Sequence, residues 1–186
     1  MNIKNINFAS KLLILALFSQ SLLAEKINFI PNDERILLSN EIFEKLTEEH
    51  YIQATDEDFN YKYIEHLIGE LDDNKRYFTK YEVNRFLNSA KIFNSSKQTF
   101  DVSSAYKIIN LYFNRLVEYS DYQIYLLEKE TFSFSGKDYL DIYSDDNDWQ
   151  PSKLALKRLW KQITKNDVLT SELADKEDDD SIENIK

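Results

Sequence analysis

The sequence predicts an all-α fold, a single helical domain of about five helices that follows an N-terminal signal peptide. Only two glycines and two prolines occur in 186 residues, which disfavours a turn-rich β fold. Apolar side chains recur at three- and four-residue spacing in separate stretches, the period of a helix with one buried face. With 12 Tyr and 12 Phe, the chain has enough apolar surface to form a core. We place the signal peptide at residues 1–24, the helical domain at 25–176 and an acidic tail at 177–186.

Residues 1–24 have the pattern of a secretory signal peptide. Lys4 and Lys11 supply positive charge, and residues 12–23 form an apolar-rich core. This core is too short to cross a hydrocarbon layer of about 30 Å as a helix, although an uncleaved N-terminal anchor is the alternative. Cleavage fits after Ala24 or after Ser21. We therefore expect export to the periplasm and, once the signal is removed, a protein that is not integral to the membrane.

The first helix is predicted over residues 33–55. Its apolar face contains Leu38, Ile42, Phe43 and Leu46. His50 falls on or near that face, and we interpret it as a buried, hydrogen-bonded histidine. A metal-ligand role is the alternative, but neither a second histidine nor a carboxylate cluster lies at ligand spacing.

The second helix begins near Thr55, which forms a weak capping box with Asp58. Its apolar residues repeat every four positions: Phe59, Tyr63, Leu67 and Leu71. Residues 72–76 are Asp-Asp-Asn-Lys-Arg, and they predict a tight turn because Asp and Asn bond their own backbone. Tyr77 and Phe78 are expected to fix this turn to the core.

The third helix begins at a clearer signal. Thr79 and Glu82 form a T-x-x-E capping box. The apolar residues that follow are Val83, Phe86, Leu87, Ala90 and Phe93. The polar residues 94–99 end the helix.

A long fourth helix is predicted over residues 101–130. Its apolar stripe contains Tyr106, Ile109, Phe113, Leu116 and Val117, and continues more loosely with Ile124 and Leu127. Four more tyrosines lie around it: Tyr112, Tyr119, Tyr122 and Tyr125. Tyrosines on a long helix more often pack with the hydroxyl at the rim of the core. The alternative is that this aromatic belt is a binding face.

The connection to the last helix is acidic. Residues 132–134 alternate Phe and Ser and predict a short extended piece, and residues 136–148 contain five aspartates. We interpret the aspartate-rich segment as a solvated loop; a Ca²⁺ site is the alternative, but no liganding spacing recurs. The absence of cysteine excludes disulfides and thiolate metal sites. We therefore predict no cofactor and no metal site.

The fifth helix lies within residues 149–176 and has the most regular pattern in the chain. Pro151 stops the preceding segment, and Ser152 can cap the new helix. Its apolar stripe consists of Leu156, Leu159, Trp160 and Ile163. Lysine and arginine cover the other faces, which predicts an amphipathic helix that packs Trp160 into a core.

Several short motifs, in their order and spacing, resemble one protein family. They are Glu49-His50-Tyr51; Leu71-Asp72-Asp73-Asn74-Lys75-Arg76-Tyr77-Phe78; Phe132-Ser133-Phe134-Ser135; Trp149; Leu159-Trp160; and Lys165-Asn166-Asp167. The family is the tail-specific protease, also called the C-terminal processing peptidase, of the bacterial periplasm. The resemblance covers about residues 33–186 and is to its N-terminal helical domain. In the second motif the family pattern is LDPxRxYF, and Asp73 stands here where the family usually has proline.

The resemblance implies a non-catalytic module that supports a serine protease and docks an adaptor lipoprotein. It also implies that the serine nucleophile and lysine base lie well downstream of this region. The Ser-Lys pairs at 10–11, 96–97 and 152–153 are adjacent in sequence, and adjacent residues on a helix do not face each other. We predict no catalytic and no cofactor-binding residue here. Residues 181–186 resemble the start of the family's next helix, so we expect a truncated protease, half of a split gene or a partner-binding remnant.

A second hypothesis comes from another functional class. The chain would be a self-standing secreted helical protein that binds a partner through its Tyr-rich fourth helix. A formal charge of −10 disfavours nucleic acid as that partner, because phosphate contacts need clustered Lys and Arg. Under the first hypothesis the expected partners are a periplasmic adaptor lipoprotein or the remaining protease domains. The reading frame after Lys186 separates the two hypotheses.

Overall fold

The described part of the chain is helical. A computed structural model describes residues 26–48, 59–96, 101–135, 140 and 148–183. These contain α1 (Asp33–Glu48), α2 (Phe59–Leu71), α3 (Lys80–Ser96), α4 (Val102–Lys129) and α5 (Lys153–Glu183). No strand occurs in these ranges, where a parallel bridge between Thr79 and Gln150 is isolated. The predicted all-α class is confirmed. None of the described helices has the length and apolarity needed to cross a membrane.

The main core lies between α2, α3 and α4. Its fully buried members are Ile64, Ile68, Phe78, Val83, Phe86, Ala90 and Ile108. Half-buried aromatic and aliphatic side chains close its edge: Tyr63, Leu67, Leu71, Leu87, Leu111, Tyr112 and Trp149. The third-helix residues Val83, Phe86 and Ala90 are buried as their spacing predicts.

The inward face of α2 differs from the predicted stripe by one position. The buried residues are Asn60, Ile64 and Ile68, whereas Phe59, Tyr63, Leu67 and Leu71 are half-buried at the side of the same core. The Asn60 carboxamide oxygen accepts the backbone N–H of Asp101 at 3.0 Å. Because that bond satisfies a polar group inside the core, a face beginning with Asn can be the buried one.

The inward face of α4 also differs from the predicted stripe. Its buried residues are Val102, Ser104, Ala105, Ile108, Arg115 and Leu126. Phe113, Ile124 and Leu127, which the stripe included, are exposed. The bounds of this helix agree with the sequence, since Asp101 caps it by accepting the N–H of Ser104 at 3.0 Å and Glu130 ends it. The predicted buried face of α4 was wrong because Arg115, which forms an ion pair, occupies a core position, whereas a hydrophobic pattern assigns arginine to the surface.

The last helix is longer than its apolar stripe. Ser152 caps α5 as predicted, accepting the backbone N–H of Ala155 on its hydroxyl at 3.2 Å. Leu156, Trp160 and Ile163 are buried, and Leu159 is half-buried. The helix then continues without a break through residue 177, where the acidic tail is predicted to start, and reaches Glu183.

The first helix lies at the periphery. Asn32 caps α1 by accepting the N–H of Arg35 at 2.9 Å. Leu38 and Ile42, from the predicted apolar face, are exposed, while the Phe43 ring lies 5.0 Å from that of Phe59. The predicted continuation to residue 55 and the Thr55–Asp58 capping box lie outside the described residues, as do the signal peptide and nearly all of the acidic 136–147 segment.

Candidate functional site

Asp72 ends α2 and organises the turn formed by residues 72–78. One of its carboxylate oxygens accepts the backbone N–H of Arg76 at 2.6 Å, and the other accepts that of Phe78 at 2.9 Å. The N–H of Tyr77 lies between, at 3.2 and 3.1 Å from the two oxygens. The Asp72 carboxylate thus accepts hydrogen bonds that backbone carbonyls accept in a helix or a strand, because buried backbone N–H donors must be satisfied. Asp72 is only 2% exposed, so it is a structural centre of the turn.

The 72–78 turn contains one left-handed residue. Lys75 has φ of 53°, a region that residues other than glycine rarely adopt. Its N–H donates to the Asp72 carbonyl at 2.9 Å, and its ammonium lies 5.4 Å from the centre of the Trp149 ring. The contact with the indole is a favourable interaction that a glycine at this position would lack.

Trp149 joins the segment before α5 to this turn. Its indole N–H donates to the Asp72 carboxylate at 3.2 Å, across 77 positions of sequence. The next residue, Gln150, accepts the N–H of Lys80 at 2.9 Å on its carbonyl oxygen. The lead into the last helix is thereby fixed to both the turn and the start of α3.

Trp160 makes a second contact from α5 to the same turn. It is 1% exposed, and its indole N–H donates to the Arg76 carbonyl at 2.7 Å. Its ring centre lies 5.3 Å from that of Tyr119 and 6.3 Å from that of Tyr122, both on α4. The predicted burial of Trp160 is confirmed.

The aromatic end of the turn packs on α4. The Tyr77 ring meets those of Tyr112 and Tyr119 edge-on at 5.4 and 5.9 Å. Phe78 is 1% exposed and lies 6.2 Å from Tyr112. The structure therefore brings Trp149 and Trp160 to a turn that lies more than 70 positions earlier in the sequence. We call the resulting group the turn cluster; its members are Leu71, Asp72, Arg76, Tyr77, Phe78, Trp149 and Trp160. Of the four tyrosines that the sequence placed around α4, Tyr112, Tyr119 and Tyr122 are half-buried, and Tyr125 is exposed.

The remaining motif residues lie apart from this cluster or beyond it. Leu159 is half-buried, and Asn166 and Asp167 are exposed on α5. The Lys165 ammonium lies 6.0 Å from the ring centre of Phe134, which links α5 to the segment after α4. His50 and Tyr51 lie outside the described residues.

A buried ion pair next to the turn escaped the sequence analysis. The predicted capping box forms, with Glu82 accepting the N–H of Thr79 at 2.8 Å and donating its own N–H to the Thr79 hydroxyl at 3.3 Å. The other Glu82 oxygen lies 2.7 Å from the guanidinium of Arg115, whose side chain is 2% exposed. Arg115 also contacts Glu118 at 2.6 Å. An i,i+3 Arg–Glu pair was the available signal, but it is equally typical of a solvated face.

The electrostatics of the cluster suit a fixed framework. Burial raises the pKa of the Asp72 carboxyl, and the N–H donors of Phe78, Arg76, Tyr77 and Trp149 oppose that rise. Burial, with the nearby charge of Asp167, raises the pKa of Tyr119 to about 12. Within the described ranges, no group of His, Cys, Asp or Glu is placed to hold a metal ion. The cluster holds backbone and aromatic rings in place.

Comparison with known families matches residues 42–186 to the tail-specific protease N-terminal domain. The chain belongs to this family. Among curated proteins, it is 26% identical over 148 residues to the tail-specific protease of Haemophilus influenzae (strain ATCC 51907 / DSM 11121 / KW20 / Rd). That alignment covers 78% of this chain and 21% of the relative, so the chain spans about a fifth of the relative's length.

The tail-specific protease N-terminal domain thus includes the whole turn cluster. The matched region begins within α1 and contains α2 to α5 together with both tryptophans. Residues 26–41 precede it, and they contain the extended segment before α1. Of the motif residues that the structure describes, Asp72, Phe78 and Trp160 are buried, and Leu71 and Trp149 pack at the edge of the core.

Proposed function

We propose that this chain is the non-catalytic N-terminal module of a periplasmic tail-specific serine protease, and that it serves as scaffold and adaptor-docking surface. The observation that carries the proposal is the family match over residues 42–186, joined to an alignment with a fifth of a longer protease. The turn cluster supports the scaffold role, since it fixes α2, α4 and α5 to one another. Peptide-bond hydrolysis then belongs to residues outside this sequence.

Exposed aliphatic side chains on α1 support the docking role. Four aliphatic side chains there are 37 to 62% exposed: Ile36, Leu37, Leu38 and Ile42. Leu38 and Ile42 lie four positions apart and therefore on the same side of the helix, and adjoining exposed apolar side chains are typical of a protein-contact site. We assign it to the adaptor lipoprotein that the family resemblance implies.

A pull-down of periplasmic lipoproteins by the immobilised mature chain tests the docking role. We expect retention of one lipoprotein, and loss of that retention in the Leu38→Glu, Ile42→Glu double variant. Leu154→Glu is the control, because Leu154 is, like Leu38 and Ile42, more than half exposed but lies on α5. Equal retention by both variants, or retention of no lipoprotein, contradicts the proposal.

The mature chain is expected to cleave no peptide, including peptides with apolar C-termini. Acyl transfer needs an activated nucleophile, a base within hydrogen-bond reach and oxyanion donors. Added to a full-length protease and its adaptor, the chain should slow degradation by occupying the adaptor. Serine-dependent cleavage by the purified chain alone would overturn the non-catalytic assignment.

Export is tested separately. The charged start and short apolar core of residues 1–24 support a cleavable signal. Cell fractionation with N-terminal sequencing should find the chain in the periplasm, beginning after Ala24 or Ser21. An intact Met1 on cytoplasmic protein would refute this part.

A further inference from the structure

Two asparagines on α4 hold an extended segment by its backbone alone. Asn114 accepts the N–H of Ile27 at 3.0 Å and donates to its carbonyl at 2.7 Å. Asn110 does the same for Phe29, at 2.6 and 2.8 Å. Each carboxamide thus satisfies both backbone groups of one residue, and none of these four bonds involves a side chain of the bound segment.

The spacing of the two asparagines explains why the arrangement works. Four residues of helix advance about 6 Å, and two residues of an extended chain advance about 6.6 Å. Asparagines at i and i+4 therefore match alternate residues of an extended peptide. Pro31 has no N–H and cannot continue the pattern. Recognition of this kind reads an extended conformation and is indifferent to most of the sequence.

The bound segment gains little from apolar burial. Phe29 is 46% exposed and Ile30 is 70% exposed. The ring of Phe29 meets Phe113 edge-on at 5.6 Å, and Phe113 itself remains 38% exposed. The two bonds between Asn110 and Phe29 are exposed to water, and those between Asn114 and Ile27 are partly buried. Since such hydrogen bonds add modest net stability, the segment is held weakly enough to exchange.

A basic groove of about 670 Å³ lies beside the bound segment. Lys26 and Asn28 line it from the segment, and the cations Arg85, Lys107 and Lys153 line it from α3, α4 and α5. Among the described residues, none of these three cations forms an ion pair. The one acidic side chain in the lining, Glu82, is already bound to Arg115. The groove is therefore locally positive in a chain with a formal charge of −10.

We propose that Asn110 and Asn114 form a binding site for extended polypeptide, which the chain's own residues 26–30 occupy in cis. The peptide that fits best has an aromatic residue at the Phe29 position, where it meets Phe113, and an acidic residue at the Asn28 position, beside the basic groove. A peptide with that pattern displaces the segment. The site consists of Asn110, Asn114 and residues 26–30, and it does not depend on adaptor docking.

Binding in trans is tested with the full mature chain and a fluorescently labelled peptide, Lys-Ile-Glu-Phe-Ile. In the Phe29→Pro variant, which loses the N–H bound by Asn110, the peptide should bind more tightly than to the unaltered chain. A peptide with Asn in place of Glu should bind about threefold more weakly, because it loses the attraction between the Glu carboxylate and the groove cations. A peptide with Lys at that position should bind about tenfold more weakly, because its charge is repelled by the same cations. In about 1 M salt these differences should vanish.

A matched pair of variants controls for the asparagines. Adding Asn110→Ala and Asn114→Ala to Phe29→Pro should abolish peptide binding, with the helical circular dichroism retained. Asn84→Ala with Asn88→Ala should leave binding unchanged, because this exposed pair has the same spacing on α3. Equal binding by the two double-asparagine variants, or no dependence on the middle residue, would overturn the proposal.

A measurement in cis needs no added ligand. Asn28→Glu should raise the melting temperature at low salt, and Asn28→Lys should lower it. Replacing the groove cation Lys107 by Gln should reduce the gain from Asn28→Glu, whereas Lys129→Gln, at the far end of the same helix, should not. A gain of equal size in both backgrounds contradicts the groove assignment.

Discussion

The indole N–H of Trp160 donates to the backbone carbonyl of Arg76, 84 positions earlier, at 2.7 Å. The bond places the last helix on the turn that follows α2. Trp149 reaches the same turn through Asp72, so two tryptophans from one region fix one short segment. The stability of the domain should therefore depend strongly on this turn.

Truncation of Trp160, the one aromatic residue of α5, should be strongly destabilising. Trp160→Ala should cost about 3–5 kcal/mol, because it removes a buried ring and leaves a cavity. Trp160→Phe should cost about 1–3 kcal/mol, largely from the unpaired Arg76 carbonyl. Denaturant unfolding measures both. The exposed Leu154→Ala should change stability by less than about 0.5 kcal/mol, and a loss under about 1 kcal/mol for Trp160→Ala would contradict its role.

Removing the Asp72 carboxylate should destabilise the turn itself. Asp72→Ala leaves the backbone N–H groups of Arg76, Tyr77 and Phe78 without an acceptor, and should cost on the order of 3 kcal/mol. Asp72→Asn keeps one acceptor oxygen and should cost less. The neighbouring exposed Asp73→Ala is the control. Equal free energies of unfolding for the Asp72 and Asp73 alanine variants would show that the turn does not need this carboxylate.

The buried ion pair should be asymmetric in its response to mutation. Glu82→Gln leaves the guanidinium of Arg115 buried and less compensated, at a cost of about 3 kcal/mol. Glu118→Gln should cost under about 1 kcal/mol, since Glu118 is 36% exposed and Glu82 is 14% exposed. Thermal and urea unfolding of the two variants provide the comparison. A larger loss for Glu118→Gln would reverse the assignment of the stronger partner.

Stability should fall at alkaline pH because of buried tyrosines. Burial raises the pKa of Tyr119 to about 12 from 10.0, and raises those of Tyr77 and Tyr63 in the same direction. A raised folded-state pKa means that the unfolded chain loses its proton first. The stability that the protonated Tyr119 contributes is therefore fully present below its unfolded-state pKa of 10.0, and it is lost as the pH rises through its folded-state pKa of about 12.

The free energy of urea unfolding, measured through this pH window, tests the alkaline loss. Tyr119→Phe should flatten the pH dependence, whereas Tyr125→Phe, which alters an exposed tyrosine, should leave it unchanged. Titration of tyrosinate absorbance in the folded state should show a late-ionising group that Tyr119→Phe removes. Parallel pH profiles for the two variants would contradict the burial of Tyr119.

Local sequence determined where several helices begin. Thr79 with Glu82 and Ser152 cap their helices as predicted, because capping joins residues two or three positions apart. Asp101, where the fourth helix was predicted to begin, caps that helix in the same way. The buried face of α5 was also predicted from the sequence, since Leu156, Trp160 and Ile163 are all apolar and all buried.

The sequence by itself determined the helical class, the family and the position of the 72–78 turn, because each depends on residue types at short, fixed spacing. Only the tertiary structure decided which faces of α2 and α4 are buried. Asn60 and Arg115 are polar residues in core positions, and they lie there because Asp101 and Glu82, on other elements, satisfy them. A hydrophobic pattern counts apolar atoms on one segment, whereas the burial of a polar group depends on partners that only folding brings near.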